Sequence, residues 1–378
     1  ALYQHQSKLE LLKGNLEKIG EASSILSFQT SSSPSQKIEL PSGCQNHKEG
    51  IQKILEIFDQ EKNNPGSADL IVHRVVHGGT KYRHAALLDL EVKQFIRDMI
   101  PLARTHHPAS LACIEEITEH FPEIPQSVVF DTSFHQTLPE YAWRYALPRK
   151  ISDQYAIRRY GFHGISHQSV VKQAASFLKT PVNKLNLITI HLGNGASISA
   201  IKKGICVDTT MGMTPLEGLV MGTRPGDLDP GILTLLARKG WNQEALETML
   251  NQDSGMKGLC GTNDFREILQ NKEEGNEEAE MALELYCYRV RKTIGSFSTV
   301  IGPVDALVFT GGVGENVPSV RKRSVRGMEW MNIQLDPDMN DHAEAPCAIH
   351  SKDSQTKILV LPSDEEWEMA SQAAELIL

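Results

Sequence analysis

At 378 residues the chain exceeds what one hydrophobic core usually supports, so two domains are expected. Its composition, 40% hydrophobic and 22% charged, suits an ordinary soluble globular protein, and no uninterrupted apolar stretch is long enough to cross a bilayer. The net charge of −9 argues against a nucleic-acid partner, which would need a basic face.

Six cysteines (44, 113, 206, 260, 287 and 347) lack Cys-x-x-Cys spacing, which predicts reduced thiols in a cytoplasmic protein and neither a disulfide framework nor a zinc site. The chain opens without methionine or signal-peptide pattern, and Leu9 and Leu11 alternate with Lys8 and Glu10 as in the middle of a sheet. The first forty residues read as strands and turns, with Thr30 to Gln36 expected to be an exposed polar loop. Ile51, Ile54, Leu55 and Phe58 mark an amphipathic helix. Asp69 to His77 is a strand stopped by Gly78-Gly79; Asp89 N-caps a helix carrying Val92, Phe95, Ile96 and Met99. A helix over Ala109–His120 and a strand over Ser127–Asp131 follow, so this third alternates as an α/β domain does. Beyond Thr132 come a helix from about His167, a glycine hairpin, a run of helices with a long one at Glu277–Ile301, a second glycine loop and a strand at Ile358–Leu361. The last helix carries a capping box of Ser363 and Glu366. Strand, glycine turn and helix recur in both halves, which hints at two related domains.

The two glycine turns are the most informative elements. Leu187–Leu192 feeds Gly193-Asn194-Gly195 and then a second strand; Val304–Thr310 feeds Gly311-Gly312-Val313-Gly314-Glu315-Asn316 and then a basic stretch from Pro318. Loops with so few side chains let backbone N–H groups approach a polyanion, although a tight hairpin or helix entry also needs glycine. Neither has P-loop or dinucleotide-fingerprint spacing. Arg321-Lys322-Arg323 reads as a solvated helix face or a set of anion contacts.

Arg74 lies inside an apolar strand, where it needs an anion: a core carboxylate or a bound carboxylate or phosphate. Arg224, between glycine and proline in Met221–Pro230, is an anion ligand or a loop brace to Asp227 or Asp229. Asp131 ends a strand, where α/β sheets place ligands, or makes an Asx turn with Thr132 and Ser133. His163 sits in an aromatic-flanked glycine turn. Glu365, in the first turn of the last helix, favours the helix dipole or holds Mg²⁺. Two arginines, an acid, a histidine, a metal carboxylate and two phosphate loops suit phosphoryl transfer, which needs positioning and cationic clamps more than covalent chemistry. Acyl transfer is not suggested, because Gly-x-Ser-x-Gly is absent.

The blocks His73–Gly79, Phe130–Thr137, Tyr160–Gly164, His191–Gly195, Met221–Asp227, Phe309–Asn316 and Ser363–Glu366, in this order, resemble the acetate kinases over nearly the whole chain, with the propionate kinases as siblings. The resemblance implies an α/β fold of two duplicated domains, of the actin/hexokinase-like (acetate and sugar kinase) superfamily with a central cleft. It puts residues 1–132 with 366–378 in one domain and 133–365 in a nucleotide-binding one. It implies reversible, direct in-line phosphoryl transfer from ATP to acetate, with Mg²⁺ or Mn²⁺. Arg74 would hold the carboxylate, and Val76, His106, Phe162 and Pro215 would line the acid's site. Arg224 and His163 would stabilise the moving phosphoryl group, with Asp131 as orienter. His191, Leu192, Gly193, Asn194 and Gly195 would cradle ATP phosphates. Asp264, Phe265 and Arg266 with Gly312, Val313, Gly314, Glu315 and Asn316 would hold adenosine, and Glu365 would serve Mg²⁺. The partners are a small carboxylic acid and ATP, with homodimerisation implied by the resemblance alone.

Two departures stand out. The family's opening strand and Asn/Gly/Ser-rich loop precede the point where this chain starts, and the natural protein is expected to carry them. Arg104-Thr105 replaces an apolar Pro-Leu beside His106, so Thr105 would make the acid pocket slightly more polar. The alternatives are a propionate kinase, a nucleotide-binding module with crippled catalysis, and a sugar or glycerol kinase in which Asp131 serves as general base.

Overall fold

The computed structural model describes residues 1–31, 33–60, 68–104 and 106–378, with Asp59 and Gln60 described by their backbone alone. The chain forms two compact units, Ala1–Ser133 with Glu365–Leu378, and Phe134–Asp364. Both are mixed α/β.

The first unit begins with an antiparallel sheet in sequence order, β1 (Leu2–Gln4), β2 (Leu9–Glu17), β3 (Ser24–Thr30) and β4 (Ser33–Leu40). The expected loop from Thr30 to Gln36 is therefore largely strand. Thr30 pairs with Ser33 and Phe28 with Gln36, and the polar residues persist because β4 is an exposed edge where Pro34 costs no ladder bond. On β2 it is Leu12, not Leu9, that is buried, so the inward face is the opposite of the one suggested by Leu9 and Leu11. Leu26 and Phe28 of β3 pack with Ile57 of helix α1 (His47–Gln60).

A second sheet holds β5 (Ile71–Val75), β6 (Ala86–Leu87) and β7 (Gln126–Phe130), with β5 and β7 parallel. Helices α2 (Leu90–Asp98) and α3 (His107–His120) cover Val75, Val128 and Phe130 through Val92, Ile96, Leu111 and Ile114. Asp89 caps α2 by accepting from the Val92 N–H at 2.8 Å. Strand alternation then turns Arg74, next to buried Val75, to the other face.

In the second unit, α4 (Glu140–Trp143) and α5 (Arg149–Gln154) lead to α6 (Gly164–Phe177), which starts three residues before the expected His167. The hairpin of β8 (Leu187–Leu192) and β9 (Ala196–Lys202) follows, then β10 (Ile205–Thr209). Helices α7 (Gly231–Arg238), α8 (Gln243–Gln252), α9 (Gly255–Cys260) and α10 (Phe265–Glu273) precede the long α11 (Glu277–Ile301), capped by Asn276. Strand β11 (Ala306–Thr310), helices α12 (Gly311–Asn316), α13 (Pro318–Val325) and α14 (Pro337–Asp341), β12 (Cys347–Ala348) and β13 (Lys357–Val360) complete it. The sheet order is β10-β9-β8-β11-β13-β12, with β8, β11 and β13 parallel. These three strands are almost wholly buried and accordingly read as continuous apolar runs. Helix α15 (Glu365–Ala374) returns to the first unit and packs on β5 and β7.

Alternation sends Leu187, Thr189 and His191 of β8 and Ser197, Ser199 and Ile201 of β9 to one face. There Leu187 and Ile201 pack with Val170, Val171 and Ala174 of α6. The same α6-facing surface becomes polar toward the glycine turn, where Thr189 and Ser197 bond His167, and His191 bonds Ser166.

Candidate active site

In the first unit Arg74 is bidentate to Asp131, with Nε donating to Oδ1 at 3.0 Å and Nη2 to Oδ2 at 2.9 Å, while Nη1 donates to Glu365 Oε2 at 2.7 Å. Its side chain is 37% exposed, so the expectation of a buried arginine is corrected, while its charge is paired with Asp131 and with Glu365 of α15. Asp131, in contrast, is only 3% exposed. Asp131 raises the Arg74 pKa above its ordinary value against the opposing effect of burial. Burial also pushes the Glu365 carboxyl up, with the Asp131 charge adding to the effect and Arg74 only partly offsetting it.

The Gly78-Gly79 turn after β5 is sterically required. A Cβ at Gly78 would stand 2.8 Å from the Phe130 ring, and Gly79 has φ +59°. The turn is pinned by Thr132 Oγ1, which accepts from the Gly78 N–H at 2.9 Å. His107 donates from Nδ1 to the Ile96 carbonyl and accepts the His77 N–H at Nε2. Val76 is half-buried beside this turn, and His106 is exposed at the start of α3. Thr105, and with it the expected polar change in the acid pocket, lies outside the described residues.

In the second unit His163 adopts φ +55°, ψ +24°, a left-handed conformation uncommon for a residue with a side chain, between Gly161 (φ +74°) and the first residue of α6. Its Nδ1 lies 2.9 Å from Ser197 Oγ, and its ring lies tilted by 30° against His191 at 4.4 Å between centroids. A Cβ built on Gly195 would meet Arg224 Nη2 at 2.9 Å and His163 Nε2 at 3.0 Å. The guanidinium and the imidazole, far apart in sequence, therefore converge on the hairpin tip.

Arg224 is half-buried, and among the described residues its guanidinium has one polar partner, the Pro215 carbonyl, which accepts from Nη1 at 2.7 Å. Asp227 and Asp229 do not brace it: they accept from the N–H groups of Gly218 and Gly231. Burial without a counter-ion lowers the Arg224 pKa. The loop carrying Pro215 is rigid for a reason that sequence reasoning misses. Arg159 Nη1 donates to the carbonyls of Thr209, Thr210 and Met211, and its Nη2 meets Glu217 Oε1 at 2.5 Å, while Tyr145 donates to Glu217 Oε2. The Phe162 ring is buried, and its carbonyl accepts from buried His135 at 2.9 Å.

The hairpin tip is held by backbone bonds, Gly193 N–H to the Gly195 carbonyl and Gly222 N–H to the Asn194 carbonyl, both at 2.9 Å. Asn263 Nδ2 donates to Asn194 Oδ1. The next residue, Asp264, caps α10 and pairs with the exposed Arg266, which holds its carboxyl down at about 2. Phe265 points inward and packs edge-on against Tyr286.

The second glycine element is not the loop expected. Gly311–Asn316 is a helical turn, because Gly311 at φ +77° reverses the chain under the Leu192 backbone and Glu315 Oε1 accepts the N–H groups of Gly311 and Ser363. Gly312 faces open space and Val313 and Gly314 are buried; Asn316 is exposed, with Nδ2 donating to the Gly312 carbonyl. Arg321 corrects the reading of a solvated basic face. It is fully buried, donating to the Gly314, Glu315 and Asn340 carbonyls and to Asn340 Oδ1, and so fixes the end of this turn. The expected capping box is displaced too: α15 starts at Glu365, preceded by Asp364 at φ +38°, and Glu366 meets Lys13 Nζ at 3.5 Å.

Among the described residues no cluster of three or more His, Cys, Asp or Glu could hold a metal by itself. Mg²⁺ needs no such cluster, since one or two carboxylates with substrate phosphates and water suffice. Glu365 fits that role, because its carboxyl, raised by burial, would be favoured in its ionised form by an added cation.

A family model described as the Acetokinase family matches residues 1–371. An acetate kinase of Sulfurovum sp. (strain NBC37-1) is 46% identical over 369 residues, 96% of this chain and 92% of that protein. The crystal structure of Porphyromonas gingivalis acetate kinase superposes with a TM-score of 0.90 at 38% identity, covering 100% of this chain and 96% of that one. A propionate kinase from Francisella tularensis superposes with a TM-score of 0.92 at 36% identity, covering 99% and 95%.

Proposed function

The chain belongs to the acetokinase family, and from that premise we propose that it moves a phosphoryl group reversibly and directly between ATP and acetate, forming acetyl phosphate and ADP. The observation that carries the reading is the pairing of Arg224 Nη2 and His163 Nε2 over Gly195, with a half-buried guanidinium that has no carboxylate partner among the described residues. Such a group wants an anion, and a phosphoryl group in flight spreads negative charge over its oxygens. Arg224 and His163 neutralise that charge. The backbone from His191 to Gly195 receives the ATP phosphates, and the open side of Gly312 admits the nucleotide, with Asp264 to Arg266 and Val313 to Asn316 beside it. The unit Phe134–Asp364 is thus the nucleotide-binding one.

Arg74 binds the acid's carboxylate, with Val76 and His106 of the same unit about its alkyl end. Because Arg74 is already bidentate to Asp131, Asp131 orients the guanidinium and acts as no base; a carboxylate nucleophile has no proton to lose. Glu365 would hold Mg²⁺, which when bound offsets phosphate charge. With six free cysteines and no helix among the described residues long and apolar enough to cross a membrane, a cytoplasmic location fits this activity.

Trapping acyl phosphate with hydroxylamine, using protein from its full reading frame with ATP, Mg²⁺ and acetate, propionate or butyrate, tests the proposal. Acetyl hydroxamate is the expected dominant product. No hydroxamate from any acid sinks the kinase reading, and a preference for propionate moves the chain to the sibling activity. One methylene is worth only about 1–3 kcal/mol in such a pocket, so the two acids must be compared through kcat/KM.

A further inference from the structure

The polar half of the α6 face contains a hydrogen-bonded series that the reaction itself does not require. It runs from His163 Nδ1 to Ser197 Oγ (2.9 Å), from Ser197 Oγ to His167 Nε2 (2.8 Å), from His167 Nδ1 to Thr189 Oγ1 (2.7 Å), and from Thr189 Oγ1 to the Ser199 carbonyl (3.5 Å). His163 and His167 stand one turn apart at the start of α6; Ser197 and Thr189 lie on the facing strands. His167, Ser197, Thr189 and Ser199 are fully buried, so water does not scramble these bonds.

The series has a direction. Its last atom, a carbonyl oxygen, can only accept, so Thr189 donates to it and accepts the proton of His167 Nδ1. A neutral His167 protonated there has a lone pair at Nε2, which takes the Ser197 hydroxyl proton. Ser197 then offers His163 an oxygen lone pair. The opposite direction would leave the Ser199 contact unused and point a hydroxyl hydrogen at His163 Nδ1, so a second proton on that imidazole would collide with a donor. Burial, with the neighbouring His135 and His191, lowers the pKa of His167 well below its ordinary value, which keeps it neutral as this order requires.

We propose that Ser197, its hydroxyl aimed by His167, is a positioning residue that fixes His163 in the tautomer protonated at Nδ1, making Nε2 the atom presented beside Arg224. The assignment of what Nε2 meets rests on the phosphoryl-transfer reading; the tautomer does not. In this state His163 can take a proton at Nε2 when a polyanion arrives and become a donor without any rotation, because Ser197 accepts from Nδ1 in both charge states. The charged and titratable groups facing it include Arg224 over Gly195, His191 tilted against its ring, and His167 behind Ser197.

The test joins nitrogen-15 NMR of histidine-labelled full-length protein to steady-state kinetics of Ser197→Ala and Ser197→Thr. In the wild-type protein at about pH 8, where an ordinary histidine is neutral, the His163 resonances should report a protonated Nδ1 and a bare Nε2. In Ser197→Ala that preference should weaken and kcat should fall roughly tenfold to a hundredfold, with KM for ATP and acetate changed by no more than about threefold. Ser197→Thr, which keeps the hydroxyl, should restore most of the loss. A protonated Nε2 in the wild type, an unchanged kcat in Ser197→Ala, or equal losses in the two variants would overturn the assignment. Should the wild-type protein form no acyl phosphate, the kinase reading fails by itself, and the NMR result still decides the role of Ser197.

Discussion

A methyl group at Gly195 would press first on the ends of two side chains, Arg224 Nη2 and His163 Nε2. Flexible ends yield at little cost to the fold, but both groups must leave the place where they converge. We therefore expect Gly195→Ala to keep its thermal midpoint within about 4 °C of the wild type, which for a unit the size of Phe134–Asp364 corresponds to roughly 1–2 kcal/mol. Its kcat should drop about a hundredfold, the scale for loss of a donor at the reacting group. Differential scanning calorimetry with the acetate-dependent rate of ADP formation checks both; a folded variant with full turnover would mean that the convergence has no catalytic role. At this scale the sequence is legible wherever chemistry is unusual for its context. Arg224 between glycine and proline and His163 in its glycine turn both stand out, and they do meet. The silent partners are not legible. Ser197 and His167 look like an ordinary strand serine and an ordinary helix histidine, and only the spacing of His163 and His167 by about one helical turn, once the helix start is known, places them on one side of α6. Arg321 misleads for a related reason: flanked by Lys322 and Arg323 it reads as surface, whereas its partners are carbonyls, which leave no trace in a sequence.

The two adjacent glycines that open the turn after β11 have opposite physical roles, and this can be tested. Gly311, at φ +77° with its missing Cβ 2.7 Å from the Leu192 carbonyl oxygen, is required by the protein itself; alanine there strains the backbone and pushes on β8. Gly312 has an ordinary φ, and nothing lies within 4 Å of the place a methyl would take, so alanine there adds helix propensity and harms no packing. Urea unfolding should show Gly311→Ala destabilised by about 2–4 kcal/mol and Gly312→Ala unchanged or more stable by up to about 1 kcal/mol. If the open side of Gly312 receives the nucleotide, Gly312→Ala should nevertheless bind ATP at least about tenfold more weakly by calorimetry. Unimpaired ATP binding in that variant would remove this turn from the nucleotide site. The elements themselves read best where one physical cause dominates: the long amphipathic α11 behind Asn276, the capped α2, and the apolar strands β8 and β11. They read worst where tertiary pairing overrides local composition, as in β4, whose serines, proline and glutamine signal a loop yet pair with β3.

Across the molecule, both units bury histidines that burial keeps neutral. His73 and His107 in the first unit, and His135, His167 and His350 in the second, all have pKa values below the ordinary histidine value, with His135 lowered to about 4. Between about pH 6.5 and pH 4 the unfolded chain therefore binds protons that the folded chain refuses. Stability must fall as pH falls through that window. Glu365 and Asp208 work in the other direction, since their raised carboxyl pKa values favour the folded state on acidification, but they are two groups against five. The carboxylates of Asp264, Glu116 and Glu280, lowered by Arg266, Lys48 and Arg323 respectively, lose their own contribution as pH falls from the ordinary carboxylate values to their lowered ones, a more acid interval. The expected result is a loss of about 2–4 kcal/mol on going from pH 7.5 to pH 5, read from urea midpoints, above the interval in which the lowered carboxylates titrate. A midpoint that stays level over that interval would mean that these histidines are hydrated, or charged and partnered, in the native protein. In that case the neutral His167 on which the Ser197 series depends would lose its physical basis as well.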